Sequence, residues 1–261
     1  LKGIKSWLSS LACFLPLLLG FIVPLGVLLM HALSENAEDI LVILNDYAAN
    51  SIKVAGIGAT ICVGGSLWLA YSNRIQHQLI ARSGIRLSTL GYALPGVILA
   101  IGLLIPLTLI DHLLAEPISS AFNTKAQLWL TGSIAALIMV YFARFLAVSF
   151  NSIEGGISQI DTKFDQAAST LGSTNSRTLR TIHFPLLRGS ILTGFLLVFI
   201  DITKELPATL ILRPFNFETL ATRIYRFASD ERLSEASMEC LIIVGLGLIL
   251  TALLISSSKK T

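Results

Sequence analysis

The chain has 261 residues, 54% of them hydrophobic and 13% charged, with a formal net charge of +3 and a mean hydropathy of +0.76. Soluble domains carry charge on about a quarter of their residues, so the composition excludes an ordinary soluble fold, and nothing in it points to a nucleic-acid partner. Cys13, Cys62 and Cys240 lie inside apolar runs without metal-ligand spacing, which makes them packing residues rather than a zinc or redox set.

A span across the hydrocarbon core needs about 20 apolar residues. The first run, 7–33, follows Lys2 and Lys5. It is too long for the apolar region of a signal peptide and lacks a cleavage site, so it predicts a retained helix. Further runs at 50–71, 88–110, 128–150, 190–212 and 237–255 bring the spans to six. Small residues four apart, such as Ala55/Ala59 and Gly132/Ala136, suit close helix packing. The prediction is an all-α membrane protein of six transmembrane helices: residues 1–44 form the first helix and an outer connection, and 45–257 form the core. Charge bias orients it. One side collects Lys2, Lys5, Arg74, Arg82, Arg86, Lys163, Arg177, Arg180, Arg188, Lys259 and Lys260, against the acids Glu154, Asp161 and Asp165. The other side holds Glu35, Glu38, Asp39, Asp46, Asp111 and Glu116. Both termini are therefore expected in the cytoplasm.

One connection on the basic side, 151–189, is far longer than a helix–helix link requires. Within it Phe164, Ala167, Ala168 and Leu171 fall at i, i+3, i+4 and i+7, the stripe of a short helix. Gly172 stands where a C-cap favours positive φ, and Ser173, Thr174 and Asn175 offer an N-cap for a second short helix bearing Leu179 and Ile182. Pro185 is expected to stop that helix. A lipid-seeking helix would carry larger apolar residues opposite lysines; two alanines suit contact with a protein surface.

The spacing of this segment resembles the signature of the inner-membrane permeases of binding-protein-dependent ABC importers: Glu-Ala-Ala, three residues, Gly, nine residues, Ile, any residue, Leu, Pro. Gln166, Ala167, Ala168, Gly172, Ile182, Phe184 and Pro185 stand in that register, with Gln166 for Glu and Phe184 for Leu. The resemblance implies a type I ABC importer permease fold with a cytoplasmic coupling helix-turn-helix at 161–186, seated in a groove of an ABC ATPase dimer. Gln166 keeps the length of the family's Glu without its charge, and Asp165 faces another direction. The stretch "DITKELPATLILRPFNFETLATRIYRFASDERLSEA" from Asp201 resembles the second half of fused ferric-iron permeases, with thiamine permeases among the relatives. That implies half of a longer permease importing ferric iron, or alternatively thiamine or another small solute, beside a second permease half, lipid and a periplasmic substrate-binding protein in a bacterial inner membrane.

Asp201, Lys204 and Glu205 share one helical face in the fifth span, with Pro207 just beyond. Intramembrane charges face a bundle interior or a wet cavity. Either the three neutralise one another and fix packing, or they line or gate the translocation pathway; packing and gating rank ahead of metal ligation. Arg144 reads as a residue snorkelling to the headgroups, and His31, His77, His112 and His183 as interfacial residues. No GxxxxGK[ST] stretch occurs, so the chain is expected to bind no cofactor, with ATP used by a partner subunit. The rival classes are a membrane-embedded enzyme using Asp201 and Glu205 as an acid–base pair, and a secondary transporter, which has no need of the 166–185 motif.

Overall fold

The computed structural model describes residues 4–34, 43–75, 83–85, 90–122 and 128–258. Of the charges and histidines named above, Lys2, Glu35, Glu38, Asp39, His77, Arg82, Arg86, Lys259 and Lys260 lie outside the described residues. Every regular element among the described residues is helical, and six helices are long and apolar enough to cross a membrane.

The first span is α1 (Ile4–Leu17), a π-helical turn at Leu18–Ile22, and α2 (Val23–Ala32). Its apolar side chains, from Trp7 to Met30, stay largely exposed, as suits a helix bathed in lipid at the edge of the bundle. The second span is α3 (Ala49–Ile75), the third α4 (Gly96–Phe122) and the fourth α5 (Ile134–Ser158). Gly132, paired with Ala136 by sequence, stands instead in the turn before α5 at φ +71°, and Ser133 caps that helix by accepting the Ala136 N–H.

The core is built where α3 and α5 meet α8 (Phe184–Thr203) and α9 (Pro207–Leu212). Ala55, Ala59 and Cys62 of α3 are fully buried against Leu137, Tyr141 and Val198. Small side chains let the backbones approach, and hydroxyls join the helices from inside: Ser66 Oγ lies 2.6 Å from Ser149 Oγ, and Ser152 donates to the Ser190 carbonyl at 2.9 Å. With lipid as apolar as the core, such packing and bonding hold membrane helices together. The last span, α11 (Ser237–Ser258), and the outer face of α4 expose Leu, Ile and Val to lipid.

Two expectations need correction here. The third span does not end at residue 110; α4 continues to Phe122 and carries Asp111, buried within it. A bare carboxylate there would be costly, but Asp111 accepts the N–H groups of Trp129, Leu130 and Thr131 at 2.9, 2.8 and 2.6 Å. It thereby pins the turn that launches α5. Asp111→Ala leaves those donors unpaired, so we expect a loss of about 3 kcal/mol, read as a lower unfolding midpoint in detergent.

The second correction concerns Pro185. It does not stop the short helix at 175. The chain passes from α7 (Asn175–Thr178) through a π-helical turn, Leu179–His183, directly into α8. Proline lacks only a donor, and in the first turn of a helix that donor is dispensable. The first span uses the same device ahead of Pro24.

Candidate functional site

The connection between α5 and α8 forms the predicted short helices and caps up to Pro185, but Ala168, expected on the outward stripe, turns into the bundle instead, because Asp165 holds that side of the first short helix inward. Helix α6 (Lys163–Thr170) ends on Gly172 at φ +71°. The Ser173 N–H reaches the Ala168 carbonyl (2.9 Å) and the Gly172 N–H the Ser169 carbonyl (3.0 Å), the paired bonds of a Schellman cap that needs a residue with positive φ. Thr174 then caps α7 by accepting the Arg177 N–H. Ala168 turns inward and is buried, whereas Gln166 and Ala167 are exposed, as are Gly172 and Pro185; Ile182 is half-buried. Phe164 is 49% exposed and Leu171 87%, so with Ala167 they form an apolar ridge outside the bundle.

The inward side of α6 belongs to Asp165. Its Oδ2 accepts Arg74 Nε at 2.8 Å, and its Oδ1 meets His183 Nε2 at 2.6 Å. Burial pushes the Asp165 carboxyl up, but the bonds from His183 and Arg74 more than reverse this and hold it below the usual carboxylate range. The carboxylate therefore only accepts, and His183 Nε2 donates. Its Nδ1 has no hydrogen-bond partner, although the ring is fully buried. His183 is thus a core residue of the junction, not an interfacial one. A signal was present: it sits inside the motif, between Ile182 and Phe184.

The intramembrane charges are distributed differently from the expected cluster. Helix α8 ends at Thr203, Lys204 leaves the helical region, and α9 begins at Pro207. Lys204 pairs back to Asp201 at 3.0 Å and is largely exposed. Glu205 is buried and turns to Arg144 of α5, with Nε–Oε2 at 3.3 Å. Glu205 Oε1 also accepts the Ala208 N–H at 3.2 Å, satisfying a donor in the first turn of α9. Arg144 Nη1 donates to the Leu94 carbonyl at 3.3 Å. A side chain at position 96 would place its Cβ 2.5 Å from Arg144 Nη1 and 2.7 Å from Glu205 Oε1, so a larger residue at the start of α4 would have to displace the ends of that pair. Arg144 lies about 15 Å into α5, far from either end, and does not snorkel. An arginine inside an apolar run was the overlooked signal.

On the face opposite the α6 ridge, a cavity of about 870 Å³ is lined by Asp46, Asn50, Lys53, Arg213, Phe215 and Glu218, among others. Glu218 Oε1 receives both Arg213 (3.3 Å) and Arg226 (2.8 Å). The connection that carries these residues is shaped by α10 (Leu220–Ser229), whose N-terminus is closed by a reciprocal Thr219–Thr222 capping box. Arg223 bonds the buried Glu239 at 2.5 Å and stacks over Tyr47, 4.0 Å from the ring centre.

Comparison with known proteins places this geometry. A chain of the bacterial alginate ABC transporter, solved in complex with an alginate pentasaccharide-bound periplasmic protein, superposes with a TM-score of 0.72 over 98% of this chain and 95% of its own, at 15% identity. The ferric transport system permease protein FbpB of Actinobacillus pleuropneumoniae is 29% identical over 74% of this chain and 28% of its own length. A putative ferric transport system permease, FbpB 1 of Haemophilus influenzae, is 26% identical over 92% of this chain and 39% of its own. The chain thus spans well under half the length of these ferric relatives. A putative 2-aminoethylphosphonate transport system permease protein, PhnV of Salmonella typhimurium, is 23% identical over 92% of this chain and 90% of its own. Residues 63–259, which hold the α6 ridge, the Asp165 junction and the Arg144–Glu205 pair, match the family described as binding-protein-dependent transport system inner membrane component, and the chain belongs to that family of multi-pass transport subunits, which are not enzymes.

Proposed function

We propose that the chain is the membrane-spanning permease unit of an ATP-driven importer, most directly for ferric iron. Both termini and segment 161–186 then face the cytoplasm. The observation that carries this reading is the α6 ridge: in a segment that keeps the family's spacing, Phe164, Ala167 and Leu171 point away from the bundle while Asp165 and His183 hold its inner side. A dimeric cytoplasmic ATPase would seat that ridge and use the ATP. A second permease half would complete the bundle, and a periplasmic binding protein would deliver cargo to the opposite face, where the 870 Å³ cavity lies.

Iron leads because several of the similar permeases are ferric ones. Asp201 and Glu205 are hard oxygen donors suited to that cation, yet each is already paired with a base. Among the described residues no three of His, Cys, Asp or Glu gather as a metal-holding group. In this reading the Arg144–Glu205 pair closes the translocation path beside the helix break and opens as the spans rearrange. A second substrate, 2-aminoethylphosphonate, is favoured by the match that runs along 90% of PhnV and by Lys53 at the cavity, where Arg213 and Arg226 already share Glu218.

Uptake of radiolabelled ferric iron and of 2-aminoethylphosphonate, with and without the gene, tests both. Loss of iron uptake alone is the expected result. Loss of phosphonate uptake alone moves the assignment to the second substrate, and loss of neither overturns both.

A further inference from the structure

The α6 ridge faces a practical difficulty. An eight-residue helix has too few internal bonds to hold its shape in water, so any push on it would be spent on local unfolding unless something behind it is stiff. The structure supplies a backing in which three transmembrane helices end on one ion pair.

Arg74, in the last turn of α3, spreads a single guanidinium over two neighbours. Nη1 donates to the Ile157 carbonyl at 2.8 Å and Nη2 to the Ile160 carbonyl at 2.9 Å, which closes the exit from α5. Nε and Nη2 meet Asp165 Oδ2 at 2.8 and 2.7 Å, which fixes α6. The other carboxylate oxygen is held by His183, in the π-helical turn that runs straight into α8. The His183 ring lies 5.3 Å from the Tyr71 ring of α3, and the Tyr71 hydroxyl donates to the Asn175 carbonyl at 2.7 Å, closing the loop around α7. Side-chain exposure is 11% at Arg74 and 0% at His183, so water offers these two little alternative, while Asp165 between them is 33% exposed. Charge-assisted bonds in such surroundings are among the stronger polar contacts.

From this arrangement, and resting on the reading that segment 161–186 docks on an ATPase, we infer that Arg74, Asp165 and His183 are positioning residues that carry the movement of the docked segment into α3, α5 and α8. None of the three belongs to the exposed ridge of Phe164, Ala167 and Leu171. Docking and transmission are therefore separable: loss of the junction leaves the ATPase attached but lets α6 move without the transmembrane helices. The Asp165–His183 bond is the step at which α6 is tied to α8.

The experiment uses the complete importer, with its ATPase and binding protein, in proteoliposomes. His183→Leu removes the donor at similar size, His183→Gln restores an N–H donor near the position of Nε2, and Asp165→Asn removes the charge without changing shape. We expect the substrate moved per ATP hydrolysed to fall about fivefold or more in His183→Leu and in Asp165→Asn, the scale of a typical coupling energy. His183→Gln should recover most of it. A Leu171→Cys crosslink to the ATPase should form equally in all of them. A purely structural role would lower the yield of assembled complex and leave the ratio per surviving complex unchanged. An unchanged ratio with the crosslink intact overturns the junction while sparing the docking reading. No Leu171→Cys crosslink in the otherwise native complex overturns the docking reading and the junction with it. Should His183→Leu fail to assemble, Asp165→Asn decides by the same ratio.

Discussion

Arg144→Met should lower the stability of the chain by about 3–5 kcal/mol, because it leaves Glu205 charged and unpaired where water does not reach it. Glu205 also anchors the first turn of α9 through Ala208, so the damage should spread into the helix break. Replacing both partners, Arg144→Met with Glu205→Leu, should recover most of the loss, since a buried ion pair is worth little against apolar groups of similar volume. Unfolding midpoints of the two variants in detergent measure the stability. The double variant then separates packing from gating: if it folds like the parent and transports, the pair serves packing alone. If it folds and uptake falls by tenfold or more, about 1.4 kcal/mol in a barrier, the pair acts in transport. Glu205→Gln, which keeps shape and loses charge, should likewise lower uptake without loss of folded protein.

Ala167→Glu should abolish uptake with no measurable change in unfolding. The residue is exposed on α6, beside Phe164 and Leu171, so the free permease tolerates a longer side chain. A groove that accepts a methyl group would have to accommodate an extra methylene and a carboxylate, which costs both strain and desolvation. Co-purification of the ATPase with the variant is the check: retained ATPase and retained uptake would remove Ala167 from the docking surface.

The parts of this molecule legible in the sequence are those governed by neighbours in the chain. Gly172 and Thr174 act through backbone bonds to residues within five positions, so their caps follow from identity and spacing. The six spans follow from length and apolarity, which need no knowledge of partners. Arg144 and Glu205 are distant in sequence, and nothing local distinguishes their pairing from the Asp201–Lys204–Glu205 cluster that helical spacing suggests. The break at Lys204 decided it by turning Glu205 off that face. Asp111 misled for a related reason: a charge normally marks the end of a span, but three backbone donors from the following turn let α4 carry it inside. Pro185 misled because the same residue that ends one helix can begin the next.

The continuity through Pro185 has a mechanical consequence. From Asn175 to Thr203 the chain is one rod of 29 residues, about 43 Å long at 1.5 Å per residue. Its foot is bolted at His183 and its tip ends two residues short of Glu205. From His183 to its tip the rod measures about 30 Å, so a pivot of about 7° at that point sweeps the tip through about 4 Å, more than the 3.3 Å that separates Glu205 from Arg144. In the proposed importer, a lever of these proportions would turn a small tilt of the docked segment into a displacement large enough to part an ion pair at the other end of the bundle.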